Sequence, residues 1–324
     1  MTTRWGILGL GSIANQFAED LKVTPDAVLH AVGSRSAEKA RAFGDKHDAP
    51  VRHASYADLA NDPDVDIIYI ATPHPMHAQD MELCIQAGKP VVCEKPFTVN
   101  AAEASRVINL AREKRVFLME GMWSRFFPLM AVLRDKVADG AIGEPRLLQA
   151  DFGFRAGFNA EGRLFKPELG GGALLDVGCY VISLAYMLLG EAVAATGVAT
   201  MGETGVDEQC AISLRHRGGE LSVLSTAVRT NTGHDAILYG TEGSVRIRSP
   251  WWHPESMTIT RGESTDEILC PYRGNGFNYE ASEAMRCLAS GLTESNIMPH
   301  DESLAIIKTM DSLRAQWGLK YPSE

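Results

Sequence analysis

The chain has 324 residues, 45% of them hydrophobic, and 41 acidic residues against 31 basic ones leave a formal net charge of −10. This length predicts about two domains of ordinary size. The acidic balance argues against nucleic acid or an anionic membrane as a partner. Six scattered cysteines without a CxxC pair are typical of reduced thiols in a cytoplasmic protein. The first residues show no signal-peptide pattern, and we expect no membrane-spanning segment.

The first part of the chain alternates short apolar runs with helical patterns. The predicted strands cover residues 5–8, 28–32, 67–70, 91–92 and 116–119. The predicted helices between them cover residues 37–46, 76–87 and 101–114. Such alternation indicates an α/β domain with a doubly wound parallel sheet of the Rossmann type. The strands are apolar throughout, as expected when helices cover both faces of the sheet.

The pattern changes from about residue 145 onward. Several segments alternate polar with apolar residues between glycine turns, which predicts an antiparallel sheet with one face in water. Two helical stretches follow, near residues 279–290 and 301–316. We therefore predict a dinucleotide-binding domain over residues 1–121 and a second α/β domain over residues 122–324.

The segment RWGILGLGSIANQFAEDL contains a G-x-G-x-x-A motif between a strand and a helix. In this context the first glycine permits a tight turn, the second lets a pyrophosphate approach the backbone, and the alanine allows close packing. The helix start adds N–H donors and a partial positive charge. We expect Gly9, Gly11, Ser12, Ile13 and Ala14 to contact a dinucleotide. A tight turn that binds no ligand is the alternative.

The second strand ends in LHAVGSRSAEKA, without the acidic residue that would bind the ribose hydroxyls of NAD. Arg35 can pair with a 2′-phosphate, Ser34 can donate a hydrogen bond to it, and Lys39 follows one helical turn later. The pattern therefore favours NADP over NAD. Alternatively, Arg35 stacks on the adenine ring or faces solvent.

Two further strands end in polar motifs, TPHPMH and CEKP. Ligands of open α/β sheets bind at the carboxyl ends of the strands. The residues of these motifs that we expect to contact the cofactor are Thr72, Pro73, His74, His77, Glu94 and Lys95. For His77, a contact with substrate or ribose and a role at the start of a helix are both open.

The segment GGGALLDVGCY begins a helix that is apolar on nearly all sides and is therefore expected to be internal. Asp176 and Tyr180 are four residues apart and share one face of it. A buried aspartate is costly without a partner, which favours a functional pair. Alternatively, Asp176 caps the helix and Tyr180 is a core aromatic residue with a satisfied hydroxyl.

Together the motifs at 9–14, 72–77, 94–96 and 170–180 resemble the Gfo/Idh/MocA family of NAD(P)-dependent oxidoreductases. The resemblance implies a Rossmann domain and a C-terminal α/β domain whose large, mostly antiparallel sheet often forms a dimer contact, so we expect a homodimer. It also implies that Lys95 is catalytic and that the Lys95–Pro96 bond is cis. Within the family, CEKPFT, MEGMWSRFFP and the helix tyrosine look most like dimeric dihydrodiol dehydrogenases and NADP-dependent D-xylose dehydrogenases.

Many members of the family have a histidine where this chain has Tyr180. We interpret Tyr180 as the general acid and base, Lys95 as the cation that lowers its pKa, and Asp176 as a residue that orients Lys95 or the substrate. The reverse assignment of Lys95 and Tyr180 stays open because the two groups would titrate as a coupled pair.

The expected reaction is hydride transfer between NADP and a sugar or a cyclic vicinal diol. Residues that could line the substrate pocket are His77, Trp123, Arg125, Phe152, Phe154 and Phe277, although sheet packing explains the three phenylalanines equally well. No histidine or cysteine spacing indicates a metal site. The alternatives are a dinucleotide-dependent sensor without catalysis and a keto-sugar reductase that retains its cofactor tightly.

Overall fold

The structure, a computed structural model, describes residues 2–324. The chain forms two compact units. The first unit contains the chain up to Trp123 and the later segment Arg273–Leu304, and the second contains Ser124–Tyr272 and Ala305–Glu324. Both units are therefore discontinuous in sequence, whereas the sequence patterning suggests one boundary near residue 122.

The secondary structure of residues 2–324 is as follows. The α-helices are α1 Ser12–Leu21, α2 Ala37–His47, α3 Tyr56–Ala60, α4 His77–Gln86, α5 Ala101–Lys114, α6 Pro128–Ala138, α7 Cys179–Leu189, α8 Phe277–Ala289 and α9 His300–Trp317. The strands are β1 Thr3–Leu8, β2 Ala27–Gly33, β3 Val51–His53, β4 Ile67–Ile70, β5 Val91–Glu94, β6 Leu118–Gly121, β7 Pro145–Gly153, β8 Ala192–Met201, β9 Asp207–His216, β10 Leu221–Ala227, β11 Ala236–Gly240, β12 Ser244–Ile247, β13 Ser256–Arg261 and β14 Ser264–Leu269. Short 3-10 turns cover His74–Met76, Trp123–Arg125 and Pro167–Leu169, and a π-helical turn covers Leu174–Gly178.

The first unit contains a parallel sheet with the strand order β3-β2-β1-β4-β5-β6, which confirms the doubly wound α/β prediction. All residues of β4, β5 and β6 are buried, as their apolar sequences predict. The strand order reverses between β1 and β4, and ligands of this fold bind at such a switch point. The three-residue strand β3 is not predicted, because so short a segment shows no periodicity.

Asp20 on α1 joins the first stretch of this unit to the segment that returns to it. Its carboxylate is 1% exposed and accepts backbone N–H groups from Asn275, Phe277 and Asn278 at 2.7–3.2 Å. Backbone N–H groups that bond an ionised carboxylate offset the cost of its burial. The α8 segment therefore packs against α1 of the Rossmann domain, although more than 250 residues separate it from Asp20.

The second unit contains an eight-stranded sheet with the order β14-β13-β12-β11-β7-β10-β9-β8. Within this sheet, over the described residues, the β7–β10 pair is parallel and the other strand pairs are antiparallel, so the sheet is mostly antiparallel, as predicted. Buried and exposed residues alternate along β9 and β10. Helix α7 packs against β7 and β10, and the opposite face of the sheet is open to solvent.

The helical run Pro167–Leu189 is long and apolar enough to cross a membrane, with a mean hydropathy of 1.8 over its most apolar 18 residues. However, 83% of that window is buried inside the protein. An apolar helix that is covered on all sides by its own protein is a core helix. This run is therefore the interior helix of the second unit.

Candidate cofactor site and active site

The turn between β1 and α1 requires glycine at Gly9. This residue has φ +89°, and a Cβ atom there would lie 2.8 Å from the Thr72 side chain and 2.9 Å from the carbonyl carbon of Ala71. Such distances are well below van der Waals contact, so any other residue would push β1 and β4 apart. Gly9 thus lets the chain turn tightly at the sheet's switch point.

Gly11 differs from Gly9 because a Cβ atom there would meet nothing within 4 Å. It is the N-cap of α1 and has no side-chain cap, whereas Ser36 caps α2 by accepting the N–H of Lys39. Helix geometry leaves the first N–H groups of α1 outside its own hydrogen bonds. Open space beside an uncapped helix start fits an anionic pyrophosphate. Ala14 is completely buried and allows the helix to pack closely on the sheet.

Residues 33–35 at the end of β2 include no acidic side chain, and basic side chains lie there and in the helix that follows. Arg35 and Lys39 are exposed, while Ser34 is 8% exposed and its hydroxyl accepts the N–H of Ser36 at 3.2 Å. Tyr56 at the start of α3 lies near the Arg35 side chain. Burial raises the pKa of the Tyr56 phenol above its ordinary value. The sequence prediction missed Tyr56, which belongs to a short helix without a recognisable motif.

Thr72 follows β4 and is fixed by a buried carboxyl group. Its hydroxyl donates a hydrogen bond of 2.7 Å to Asp80 on α4. Burial raises the pKa of Asp80 to about 6, although the nearby Arg35 opposes this shift. Pro73 is exposed and His74 is partly exposed, so both have surface available for a ligand.

His77 at the start of α4 is completely buried. Its Nδ1 lies 2.9 Å from the carbonyl oxygen of Pro96, and its Nε2 lies 2.9 Å from that of Thr72. Burial lowers the pKa of His77, and the nearby charge of Lys95 lowers it further. The imidazole therefore links the two turns that follow β4 and β5. Its contact with substrate or ribose stays a prediction.

Lys95 directly follows β5 and is partly exposed. The Lys95–Pro96 peptide bond is cis, which confirms the expectation from the family resemblance. The backbone N–H of Lys95 donates to the Glu94 carboxylate at 3.1 Å, and that carboxylate also accepts a hydrogen bond from the Tyr69 hydroxyl. Tyr69 stacks on Phe17 with ring centroids 3.6 Å apart. Glu94 is thus a buried acceptor that holds the turn from which the lysine extends.

Trp123 and Phe277 form a stacked aromatic pair in the first unit, with ring centroids 4.8 Å apart. Phe277 is 1% exposed and Trp123 is partly exposed, so Trp123 provides the accessible surface of the pair. In the second unit Arg125 is 2% exposed and donates two hydrogen bonds of 2.6 Å to the hydroxyl and carbonyl oxygens of Ser183. These bonds hold Arg125 to α7, and its contact with substrate stays a prediction.

Asp176 lies within the π-helical turn Leu174–Gly178 and is 3% exposed. Arg163 donates hydrogen bonds to both of its oxygens, at 2.7 and 3.5 Å. The alternative that Asp176 caps the helix is wrong, because the N-cap is Ala173 and the carboxylate that accepts the Leu174 N–H belongs to Asp207. The sequence prediction missed Arg163, which lies in a loop without periodicity.

Tyr180 is 6% exposed and borders a cluster of aromatic rings in the second unit. Its ring centroid lies 5.3 Å from that of Phe152, which stacks on Trp252 at 3.5 Å and lies 6.5 Å from Phe154. The His234 ring lies 4.6 Å from Trp252. We call Phe152, Phe154, His234 and Trp252 the aromatic wall. The sequence prediction found its two phenylalanines but missed Trp252 and His234, which come from distant loops.

One group in the described part of the chain has metal-ligand spacing, namely His30, Asp62 and Asp64, whose ligand atoms lie within 4.8 Å of one another. Both carboxylates already have partners. Asp62 lies 2.8 Å from His53, and Asp64 accepts a hydrogen bond of 2.6 Å from Arg4. An ion-pair network accounts for this cluster.

Two family profiles match consecutive parts of the chain. The NAD-binding Rossmann profile of the Gfo/Idh/MocA oxidoreductase family matches residues 3–122, and the profile of its C-terminal domain matches residues 130–246. A trans-1,2-dihydrobenzene-1,2-diol dehydrogenase from Xenopus tropicalis is 38% identical over 99% of this chain and 100% of its own. The human protein of that name is 34% identical over 100% of this chain and 99% of its own.

Solved structures show the same fold. The aldose–aldose oxidoreductase of Caulobacter crescentus, complexed with glycerol, has a TM-score of 0.89 and 25% identity over 98% of this chain and 99% of its own. A 3-ketoreductase from Actinomadura kijaniata, in complex with NADP and TDP-benzene, has a TM-score of 0.84 and 25% identity over 97% of both chains. These similarities confirm the resemblance found in the motifs.

The two glycines of the first turn lead to a paired prediction. Gly9→Ala should lower the thermal stability and abolish NADPH binding, because its Cβ atom collides with β4. Gly11→Ala should melt within a degree or two of the wild type but bind NADPH at least about tenfold more weakly, because its methyl group enters only open space that we expect the pyrophosphate to occupy. Differential scanning fluorimetry and NADPH fluorescence titration measure the two effects. Unchanged NADPH affinity in Gly11→Ala would contradict this placement of the cofactor.

Proposed function

Because the chain belongs to the Gfo/Idh/MocA family of oxidoreductases, we propose that it transfers a hydride between NADP and a carbinol or carbonyl carbon of a sugar or a cyclic vicinal diol. The observation that carries the proposal is the Tyr180 phenol at the edge of the aromatic wall. Aromatic faces bind the apolar face of a neutral ring, and a phenol beside them can exchange a proton with a ring hydroxyl.

When bound, the nicotinamide accepts or supplies the hydride. In the oxidative direction the substrate loses a hydride from carbon and a proton from oxygen, which leaves a carbonyl group. We assign the proton to Tyr180 and the stabilisation of its phenolate to the ammonium of Lys95. Asp176 then orients Lys95 or the substrate, and its own position is set by Arg163.

The cofactor preference rests on the end of β2. Arg35 and Lys39 supply exposed positive charge there, and Ser34 supplies a hydroxyl. The Tyr56 phenol lies near the Arg35 side chain. The bound NADP of the Actinomadura kijaniata 3-ketoreductase is consistent with this preference. We therefore assign recognition of the 2′-phosphate to Arg35, with Ser34 and Lys39 beside it.

A panel of aldoses, polyols and trans-dihydrodiols, each with NADP or NAD, tests the proposed activity through the absorbance of the reduced nicotinamide. We expect turnover with NADP and at least one neutral ring diol or sugar. If no compound in the panel is turned over in either direction, the sensor alternative is favoured. A nicotinamide absorbance in the purified protein would instead identify an enzyme that retains its cofactor.

Tyr180→Phe tests the assignment of the proton. The variant should lose about 10²- to 10⁴-fold in kcat, the usual contribution of a general acid and base, while its affinity for NADPH stays within about twofold. Tyr186→Phe is the matched control, because Tyr186 lies on the same helix and bonds to Thr309 away from the aromatic wall. If Tyr180→Phe stays active and Lys95→Met does not, Lys95 is the proton acceptor.

Arg35→Ala tests the cofactor assignment. Loss of a charge-assisted bond to phosphate should raise KM for NADP by roughly 10- to 100-fold, and KM for NAD should change by less than about threefold. The control is Arg41→Ala, which removes an exposed arginine from α2, the helix that follows Arg35. An equal increase in KM for NADP and for NAD would show that Arg35 does not recognise the 2′-phosphate.

We also propose a homodimer that forms through the open face of the eight-stranded sheet. Val198, Leu221 and Val223 on this face are 73%, 48% and 50% exposed. A row of exposed apolar side chains on one sheet face is typical of an interaction surface. A shallow concavity of about 350 Å³, lined in part by Val198, lies on the same face and can receive partner side chains.

The double variant Val198→Asp/Val223→Asp should be monomeric, because it places charges in the centre of the proposed contact. Analytical ultracentrifugation measures the change. Val23→Asp is the control, since Val23 is 52% exposed in the first unit. A wild-type protein that sediments as a monomer at micromolar concentration would refute the proposal.

The location of the protein is proposed to be the cytoplasm. None of the six cysteines, all of which lie in the described chain, forms a disulfide, and five are buried. Free thiols are normal in a reducing compartment. Recovery of the protein from an exported fraction would contradict this location.

A further inference from the structure

We propose that Asp207 is a positioning residue of the reaction: from the start of β9, its carboxyl group holds the beginning of the helical run that carries Asp176 and Tyr180. The inference rests on the proposed role of Tyr180 and adds to it a residue that no sequence motif indicates.

Asp207 is completely buried and faces the start of the helical run. Its Oδ2 accepts the N–H of Leu174 at 2.7 Å, and the backbone N–H of Ala173 lies near the carboxyl group and acts to lower its pKa. Leu174 is the first residue of the π-helical turn that contains Asp176. A carboxylate at this place satisfies N–H groups that the helix itself leaves without partners and interacts favourably with the helix dipole.

The glycines before this helix allow Asp207 to approach. Gly172 has φ +117°, and a Cβ atom there would lie 2.2 Å from Oδ1 of Asp207. The Tyr321 hydroxyl bonds to the carbonyl oxygen of the adjacent Gly171 at 2.7 Å. The glycine run therefore contacts the Asp207 carboxyl group at Gly172 and Tyr321 of the C-terminal segment at Gly171.

The surroundings of Asp207 place its titration in the neutral range. Burial raises the pKa of Asp207 to about 7, against the opposing effects of its backbone hydrogen bonds and of the Arg314 guanidinium. Its Oδ1 has no hydrogen-bond partner among the residues that the structure describes. The guanidinium of Arg314 on α9 also forms ion pairs with the carboxylates of Asp311 and Glu324, at N–O distances of 2.6 and 2.7 Å.

Two further titratable groups face Asp207. Burial raises the pKa of the Tyr321 phenol well above its ordinary value and that of the Cys210 thiol to about 12, and the charge of Asp207 contributes to both shifts. Both groups thus stay protonated at neutral pH. Asp207 is the group of this cluster that changes its charge between pH 6 and 8.

The ionised carboxylate is a stronger acceptor than the protonated acid. Above pH 7 it holds the helix start firmly, and below pH 7 this hold weakens. Since Tyr180 follows within two helical turns, kcat should decrease as Asp207 takes up its proton. KM for NADP should not change as Asp207 takes up its proton, because the residues proposed to bind NADP belong to the first unit.

The test compares kcat against pH from 5.5 to 9 in the wild type, Asp207→Asn and Tyr321→Phe. Asparagine keeps the shape of the side chain and cannot ionise, so we expect the transition near pH 7 to disappear and kcat at pH 8 to fall about tenfold. Tyr321→Phe removes a bond to the same glycine turn but keeps the carboxyl group, so its profile should retain the transition. An unchanged transition in Asp207→Asn would overturn the proposal.

A second measurement does not need activity. In protein labelled with 13C at the tyrosine Cζ, the Tyr180 resonance, assigned from Tyr180→Phe, should shift with a midpoint near pH 7 and should not do so in Asp207→Asn. If Asp207→Asn does not fold, the pKa of Asp207 can be measured in the wild type from its 13C carboxyl resonance. A titration midpoint near 4 would overturn the proposal. If no sugar or diol is turned over but the Tyr180 resonance follows Asp207, the proposed function fails while the coupling stands.

Discussion

Parallel strands end at one edge of their sheet, and the cofactor half of this protein depends on that constraint. Four candidate residues of the first unit lie within two residues of a strand end: Gly9 after β1, Arg35 after β2, Thr72 after β4 and Lys95 after β5. Segments that are far apart in sequence therefore meet along one line. The close approach at Gly9 is needed for this arrangement, because a larger residue would displace β4 from β1.

Buried carboxyl groups then fix the turns that leave this edge. Asp80 holds Thr72, Glu94 holds the backbone of Lys95, and Asp20 holds the segment that returns at α8. In each case a hydroxyl or N–H group donates to an acceptor that water does not reach. Asp207 does the same at the helix of Tyr180 in the second unit. Hydrogen bonds to a buried acceptor position backbone more firmly than exposed ones do.

The sequence predictions were accurate where periodicity or a motif is local. Strand β4 and helix α5 have the predicted bounds, and the cis bond at Lys95 agrees with the family motif. Strand β6 begins two residues later than predicted, and the three-residue β3 was missed. Arg163, Trp252 and Asp207 were also missed. Their roles depend on loops and strand ends whose partners are distant in the chain, and no local pattern records such contacts.

The sequence by itself determined the fold class, the dinucleotide motif and the family, and it identified Asp176 and Tyr180 as candidate site residues. Each of these follows from residue types at short, fixed spacing, which local backbone geometry converts into structure. Only the tertiary structure decided that Asp176 is paired with Arg163, that His77 bridges two turns, and that Asp207 takes the place at the helix start. Burial and hydrogen-bond partners are properties of the packed chain, so they follow from contacts between segments that the sequence keeps apart.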